Sequence, residues 1–239
     1  MKQTIIFVLF VFVVMNACTR QSGFSSFIGP YLGQKPPGMT PEIFAPGIIS
    51  KSGSDEWGLA VNADGNEIFF SRSENDKATV FHTKYQSGAW SKPVVASFSG
   101  KYLERPFTDQ LVHAAYVSSD EDIYASGLVV FKKHDSGYGM KEKLHPDVIG
   151  NHPAISHAGD FIVFSNRTND GFGGTDLYVI YKNDDDSWSA PINLGKTINT
   201  SNVESSPTIS QDGRFLFFSR NGDIWWISTI IIDILKQKS

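Results

Sequence analysis

Six charged residues recur at matching places along this chain of 239 residues. Glu56, Glu104 and Glu204 each stand just ahead of an alternating apolar stretch. Arg72, Arg167 and Arg220 each follow the second strand-like run of a unit, at or one residue off equivalent positions. Two chemistries suit that alternation. Convergent arginines offer planar forks for a carboxylate, and glutamates accept hydrogen bonds from hydroxyls, which together make a polar funnel for an anionic or sugar-like ligand. The other reading is structural: each glutamate pairs with an arginine of a neighbouring unit and holds the register between them.

The remaining candidates carry less. His152 and His157 straddle Pro153 and a strand-like run, so they do not share a helix face, and His113 and His145 lie elsewhere; no metal site is expected. The run Asn183–Asp186 lacks the alternating acids and closing glutamate of a calcium loop and reads as a solvated hairpin loop. Gly171-Phe172-Gly173-Gly174 opens a strand, so it has no helix N-terminus with which to hold phosphate. No Gly-x-Ser-x-Gly elbow occurs, and no cofactor is expected. A net charge of -4 with scattered basic residues argues against a nucleic-acid partner.

The elements that position these residues are strands. With 18 Phe, 8 Tyr, 5 Trp, 21 Gly and 11 Pro, the composition favours short strands and tight turns over helices. Asn62, Thr108, Ser156 and Ser210 are equivalent landmarks. Eight residues beyond them stand Phe70, Tyr116, Phe164 and Phe218, and six beyond stand Ile68, Ala114, Ile162 and Leu216. That spacing places each pair on one face of a strand. Gly65, Gly159 and Gly213 mark hairpin turns in three copies, while the second has Gln110-Leu111 there. A third strand follows at 79–81, 176–181 and 223–226, and at Gly127–Phe131 in the second copy. A fourth is expected at Trp90–Pro93, at Trp188–Pro191 and, in the second copy, near Tyr138-Gly139. Four strands per unit of about 45 to 50 residues describes a propeller blade, and such a sheet buries its two apolar faces against its neighbours.

The N-terminus is built differently. Met1-Lys2-Gln3 is followed by an apolar run from Ile5 to Val14 that is short for a membrane span, and Met15-Asn16-Ala17-Cys18 ends it. Residues 1–17 thus read as a signal peptide. Ala17-Cys18 resembles a bacterial lipobox, although Met15 and Asn16 depart from its usual residues. Lipidation at Cys18, the only cysteine, is the reading that accounts for its position; cleavage near Ala17 that leaves a free thiol is the alternative. Residues 18–41, rich in Gly, Ser, Pro and Gln, are expected as an extended tether and residues 42–239 as the propeller domain.

Glu204–Ser219 and Gly171–Tyr178 resemble the WD40-like "PD40" repeats of TolB-type β-propellers, units that also occur in envelope lipoproteins of the Bacteroidetes type. The likeness runs over residues 42 to 235 and is weakest in the second copy. It implies an all-β propeller of four-stranded antiparallel blades in a bacterial envelope. Four repeats are recognisable; either Phe44 to Ile49 supplies the outer strand of the last blade, or an unrecognised segment makes a fifth. The expected role is non-catalytic binding of an envelope protein or glycan through one mouth of the ring. The membrane is met through the lipid anchor alone, at the outer membrane facing the periplasm, with secretion as the alternative. The rival roles are a propeller enzyme acting on glycans and a purely structural module. Sialidase propellers also grip a carboxylate with arginines, but Ser210-Gln211-Asp212-Gly213 has its glycine one place too early for their defining motif.

Overall fold

The computed structural model describes residues 28–62, 64–74, 77–97, 99, 113–117, 128–134, 137–143 and 150–238. Its strands run in chain order as β1 (Glu42–Ile43), β2 (Asp55–Val61), β3 (Glu67–Glu74), β4 (Lys77–Gln86), β5 (Ala89–Trp90), β6 (Val94–Val95), β7 (His113–Val117), β8 (Leu128–His134), β9 (Gly137–Lys143), β10 (Asn151–Ile155), β11 (Phe161–Asn166), β12 (Asp176–Tyr181), β13 (Ile192–Asn193), β14 (Glu204–Ile209), β15 (Phe215–Arg220) and β16 (Asp223–Ser228). One helix, α1 (Ile230–Lys236), follows. The strands form four antiparallel sheets: β2 to β6, β7 to β9, β10 to β13, and β14 to β16 with β1. The described chain is thus almost wholly β.

The landmark residues tie the first turn of three sheets. Asn62 Oδ1 accepts the backbone N–H groups of Asn66 and Glu67, Ser156 Oγ those of Asp160 and Phe161, and Ser210 Oγ that of Phe215. A short polar side chain at that place closes the turn by binding backbone donors that the hairpin leaves open. Gly65, Gly159 and Gly213 take φ of 66°, 72° and 70°, the left-handed conformation that the turn demands. Thr108 lies outside the described residues.

Strand alternation then builds the core in layers. Every residue of β15 is buried. Phe215 and Phe217 enter a layer with Phe44, Leu59, Ile68, Phe70 and Trp226, between the fourth and first sheets. Leu216 and Phe218 point the other way, into a layer with Val163, Val179, Ile227 and Ile232, between the fourth and third sheets. Burying each such side chain stabilises the fold by about 1.5–3 kcal/mol. The sheets adjoin in the row second, third, fourth, first: β10 lies beside β7 and β14, and β2 beside β14, β15 and β16.

One device was invisible in the sequence. The first strand of three sheets carries a register break, at Gly58, His152 and Ser206, with φ of 59°, 52° and 54°. These positions are equivalent. A left-handed residue inside a strand makes a bulge that bends it, at about 1–2 kcal/mol for a non-glycine residue.

Several expectations need correcting. The outer strand of the fourth sheet is Glu42–Ile43, paired with Trp226 and Trp225, and not Phe44–Ile49. Residues 44–50 turn instead, with Ala45 and Gly47 at positive φ, and send Ile48 and Ile49 into the core. The Trp-Ser-x-Pro runs pair only at the tryptophan, Trp90 in β5 against Tyr85 and Trp188 bridged to Lys182, and further outer strands begin after the proline, at Val94 and Ile192. Proline cannot donate to a ladder and so sits ahead of an edge strand. In the second copy β8 overlaps the segment expected as the third strand, from Leu128 on, and β9 contains Tyr138-Gly139, expected as the fourth, and runs on to Lys143.

Residues 28–41 are not a free tether. Tyr31–Gly33 form a 3-10 turn, Leu32 is buried, Gly29 accepts from the Trp90 indole at 2.7 Å, and Gln34 bonds to Ile43 and Ala45. The Tyr31 hydroxyl donates to Asp212 Oδ2 at 2.9 Å, alongside Arg214 at 2.7 Å, while Ser210 donates to Oδ1 at 2.6 Å. Partial burial pushes the Asp212 carboxyl up, but the hydrogen bonds from Ser210, Arg214 and Tyr31 outweigh it and hold its pKa down at about 2. A depressed folded-state value means stability that is present above the ordinary aspartate value and lost as pH falls through about 4 towards about 2. Asp212→Asn is therefore expected to flatten the fall in urea midpoint across that window. An unchanged pH profile would refute the clasp.

Candidate functional site

The repeated charges meet as two closed pairs. Arg72 Nε donates to Glu56 Oε1 at 2.6 Å, and Arg220 Nε to Glu204 Oε1 at 2.9 Å. Each pair is cross-strand within one sheet, so pairing does not run between neighbouring units. Glu56 and Glu204 have no exposed side-chain surface, Arg72 has almost none, and Arg220 retains 9%. Both pairs do the same mechanical task. Arg72 donates to the carbonyls of Ile48 and Ile49, and Glu56 accepts from Ser54 Oγ and the Lys51 amide. Arg220 donates to the carbonyl of Ile198, and Glu204 accepts from the Thr200 hydroxyl and amide. Each pair clamps the linker that leads from an outer strand to the next inner one. The guanidinium planes also lie over aromatic rings, Arg72 over Phe70 and Phe81, Arg220 over Phe218 and Trp225.

The third copy lacks the clamp. Gly150 and Asn166 occupy the equivalent positions, and a methyl group on Gly150 would overlap the Phe164 ring. Arg167, one residue on, is exposed and donates to the Gly174 carbonyl at 2.5 Å. Glu104 and Cys18 lie outside the described residues. The structure thus brings Glu56 to Arg72 and Glu204 to Arg220, and leaves Arg167 apart.

The glycine-rich run has its own explanation. Asp176, buried, accepts the amides of Phe172 and Gly173 and the Asn193 side chain, and so fixes the loop. A side chain on Gly173 would run into the carbonyls of Thr200 and Asn202, so only glycine lets this loop abut the start of the fourth sheet. Asn183–Asp186 is an exposed turn in which Asp185 accepts from Ser187. Among the described residues no cluster of three metal-ligating side chains occurs, and no helix is long and apolar enough to cross a membrane.

Above the Arg220 pair the first and fourth sheets leave a cleft of about 390 Å³. It is lined by the start of β2 (Asp55, Glu56, Trp57), by Asn202, Val203 and Ser205, and by Ser219 to Gly222 at the end of β15 and its turn. Asn221 and Gly222, both at positive φ, make the two-residue turn into β16, and the Gly222 carbonyl accepts the Glu56 amide at 2.7 Å. Of the charged residues that line it, Glu56 and Arg220 are spent on their partners. Burial lowers the pKa of the Arg220 guanidinium, with Glu204 opposing. Asp55 is exposed. Behind it burial pushes the Asp223 carboxyl up, and the Asp55 charge adds to that rise. The Ser219 hydroxyl is buried and has no hydrogen-bond partner among the described residues. Sequence reasoning missed Asp55, Trp57, Val203 and Ser219. Only the Asn221-Gly222 pair carried a readable signal, that of a hairpin turn.

No protein-family model matches the chain, and no curated protein does. Among solved structures it is similar to a TolB protein of Agrobacterium tumefaciens, at 12% identity and a TM-score of 0.39, over 73% of this chain and 58% of that one. It is similar to TolB from Acinetobacter baumannii, at 13% identity and a TM-score of 0.31, over 71% of this chain and 42% of that one. It is also similar to a gluconolactonase of Xanthomonas campestris, at 10% identity and a TM-score of 0.37, over 83% and 97%. The chain spans less than two thirds of the length of either TolB protein.

Proposed function

We propose that this chain forms a β-propeller and serves as a non-catalytic binding protein of the bacterial envelope, with the cleft between the first and fourth sheets as its binding site for a protein or glycan. The closure of the ring is supported by β1, which completes the fourth sheet from the N-terminal side, and by the packing of β2 against that same sheet. The observation that carries the binding role is a cleft whose buried Ser219 hydroxyl has no hydrogen-bond partner among the described residues. Buried hydroxyls are ordinarily bonded, so an unbonded one at a cleft wall suits an external group.

The envelope setting rests on the leader-like run before Cys18, with lipidation there as the anchor. Mass spectrometry of the mature N-terminus from a bacterial host tests it, and an unmodified Cys18 would end it. For the site, Val203→Trp places a bulky ring on an exposed cleft wall without disturbing the core. Capture of the partner from envelope extract should be lost in that variant while its melting temperature stays put. Undiminished capture would move the site elsewhere.

A second reading, hydrolysis of a glycosidic bond, has one feature in its favour: the raised Asp223 carboxyl near Asp55 resembles the setting of a general acid. Asp223, however, does not line the cleft, which leaves a single unpaired carboxylate there. Turnover of a glycan abolished by Asp223→Asn would establish this reading over the first.

A further inference from the structure

The geometry points to a cationic ligand: we propose that the cleft takes a lysine or arginine side chain of an extended peptide. This rests on the cleft being the binding site, as read above, and it reverses the sign of the ligand that the arginine positions suggest.

The charge balance carries it. Arg220 is neutralised by Glu204, and Glu56, also on the wall, by Arg72. Asp55 is then the unbalanced charge of the lining, exposed and with no ion pair or hydrogen bond to its carboxylate among the described residues. Its Oδ1 rests against Gly222, beside Asp223, a second carboxylate without an ion pair among the described residues. An anion entering here meets net negative charge, whereas an ammonium or guanidinium meets a carboxylate waiting for a donor.

The hydroxyl of Ser219 supplies an independent observation. Equivalent serines occur in the first, third and fourth sheets, at Ser71, Ser165 and Ser219, and Ser165 donates to the Asn151 carbonyl at 3.0 Å. Ser219 is also buried, lines the cleft, and finds no partner among the described residues. A cationic nitrogen donates to such an oxygen. Next to it the wall is apolar: Val203 is 47% exposed and Trp57 is half-buried. That combination suits the methylene stem of a basic side chain, with the indole available to the charge. Phe172, 48% exposed in the loop that abuts residues 200–203, extends the apolar surface to residues that flank the basic one. This favours a peptide over an amino sugar, which has the same ammonium but no apolar flank.

Calorimetric titration of the whole chain tests the inference with three probes: a lysine-rich peptide of about ten residues, the same peptide with its lysines acetylated, and a chitosan oligosaccharide. The lysine peptide should bind, acetylation of all its lysines should weaken it by about tenfold or more, and Asp55→Asn should weaken it by up to about fivefold with the melting temperature unchanged. Ser219→Ala, which removes only the hydroxyl, should weaken it severalfold. Equal binding of the acetylated peptide, or equal binding by Asp55→Asn, overturns the inference. Binding of chitosan alone transfers the site to an amino sugar and overturns the peptide. If no probe binds while Val203→Trp still costs the chain its envelope partner, the cationic ligand falls and the cleft stands; if that variant also keeps its partner, both fall.

Discussion

Replacing Trp226 by alanine is expected to lower the unfolding free energy by about 3–5 kcal/mol, among the largest single losses available in this fold. Trp226 is wholly buried in the third strand of the fourth sheet. Its ring lies 5.0 Å from Phe44, 5.1 Å from Phe215, 5.5 Å from Tyr31 and 5.7 Å from Phe217, stacking on the last. The N-terminal segment, the fourth sheet and the layer facing the first sheet therefore all meet on one indole. Truncation opens a cavity that three separate pieces of chain would have to collapse to fill, and packed sheets do not collapse easily. The indole N–H is itself buried without a partner among the described residues. Trp226→Phe removes that orphan donor while keeping most of the ring, so its cost should be much smaller, about 1 kcal/mol. Urea unfolding followed by circular dichroism separates the two. If phenylalanine costs as much as alanine, the orphan N–H has a partner in solution and the account of this layer is wrong.

Such a layer was partly legible beforehand. The columns headed by Ile68 and Phe70, and by Leu216 and Phe218, follow from the period of two and from turn residues that act locally, and the structure puts all four in the core. What the alternation cannot show is which layer each side chain joins, because that depends on neighbouring sheets. The outer strands were harder for a different reason. Runs of two residues, such as Glu42–Ile43 and Ile192–Asn193, have no periodicity to read, and they are strands only because a neighbour offers a free edge. The bulges at Gly58, His152 and Ser206 share no residue type, so their common backbone left no common letter.

The candidate site was less legible still. Its walls come from residues 55–57, 202–205 and 219–222, brought together because the first sheet packs against the fourth. Asp55 aligns with Val203 in the repeat, so the two residues that give the cleft its charge and its apolar wall are where copies differ. A search for repeated residues passes over them. Recurrence finds what every sheet needs; the cleft is made from what only one sheet has.

The repeated charges give the second large effect. Glu56 and Arg72 are separated by 16 residues, as are Glu204 and Arg220, and the third copy, which has glycine and asparagine at that spacing, has no pair. That constant spacing was a readable sign of cross-strand partners. Removing one member strands the other in the interior together with the backbone groups it served: Arg72→Ala abandons Glu56 and the Ile48 and Ile49 carbonyls, at an expected cost of about 3–5 kcal/mol. Glu56→Ala and Glu204→Ala should cost about as much. The joint change Glu56→Leu with Arg72→Met should cost clearly less than either single loss, since no unpaired charge remains. Arg167→Ala, at an exposed position with one bond to a carbonyl, should stay within about 0.5 kcal/mol of the parent. Denaturant titration of the five variants decides the matter. If Arg72→Ala folds with parental stability, the pair is not a clamp, and its charges become free to serve a ligand after all. If it loses several kcal/mol while Arg167→Ala loses none, then recurrence of arginine in this chain records the linkers between sheets, and recognition falls to Asp55, Val203 and Ser219.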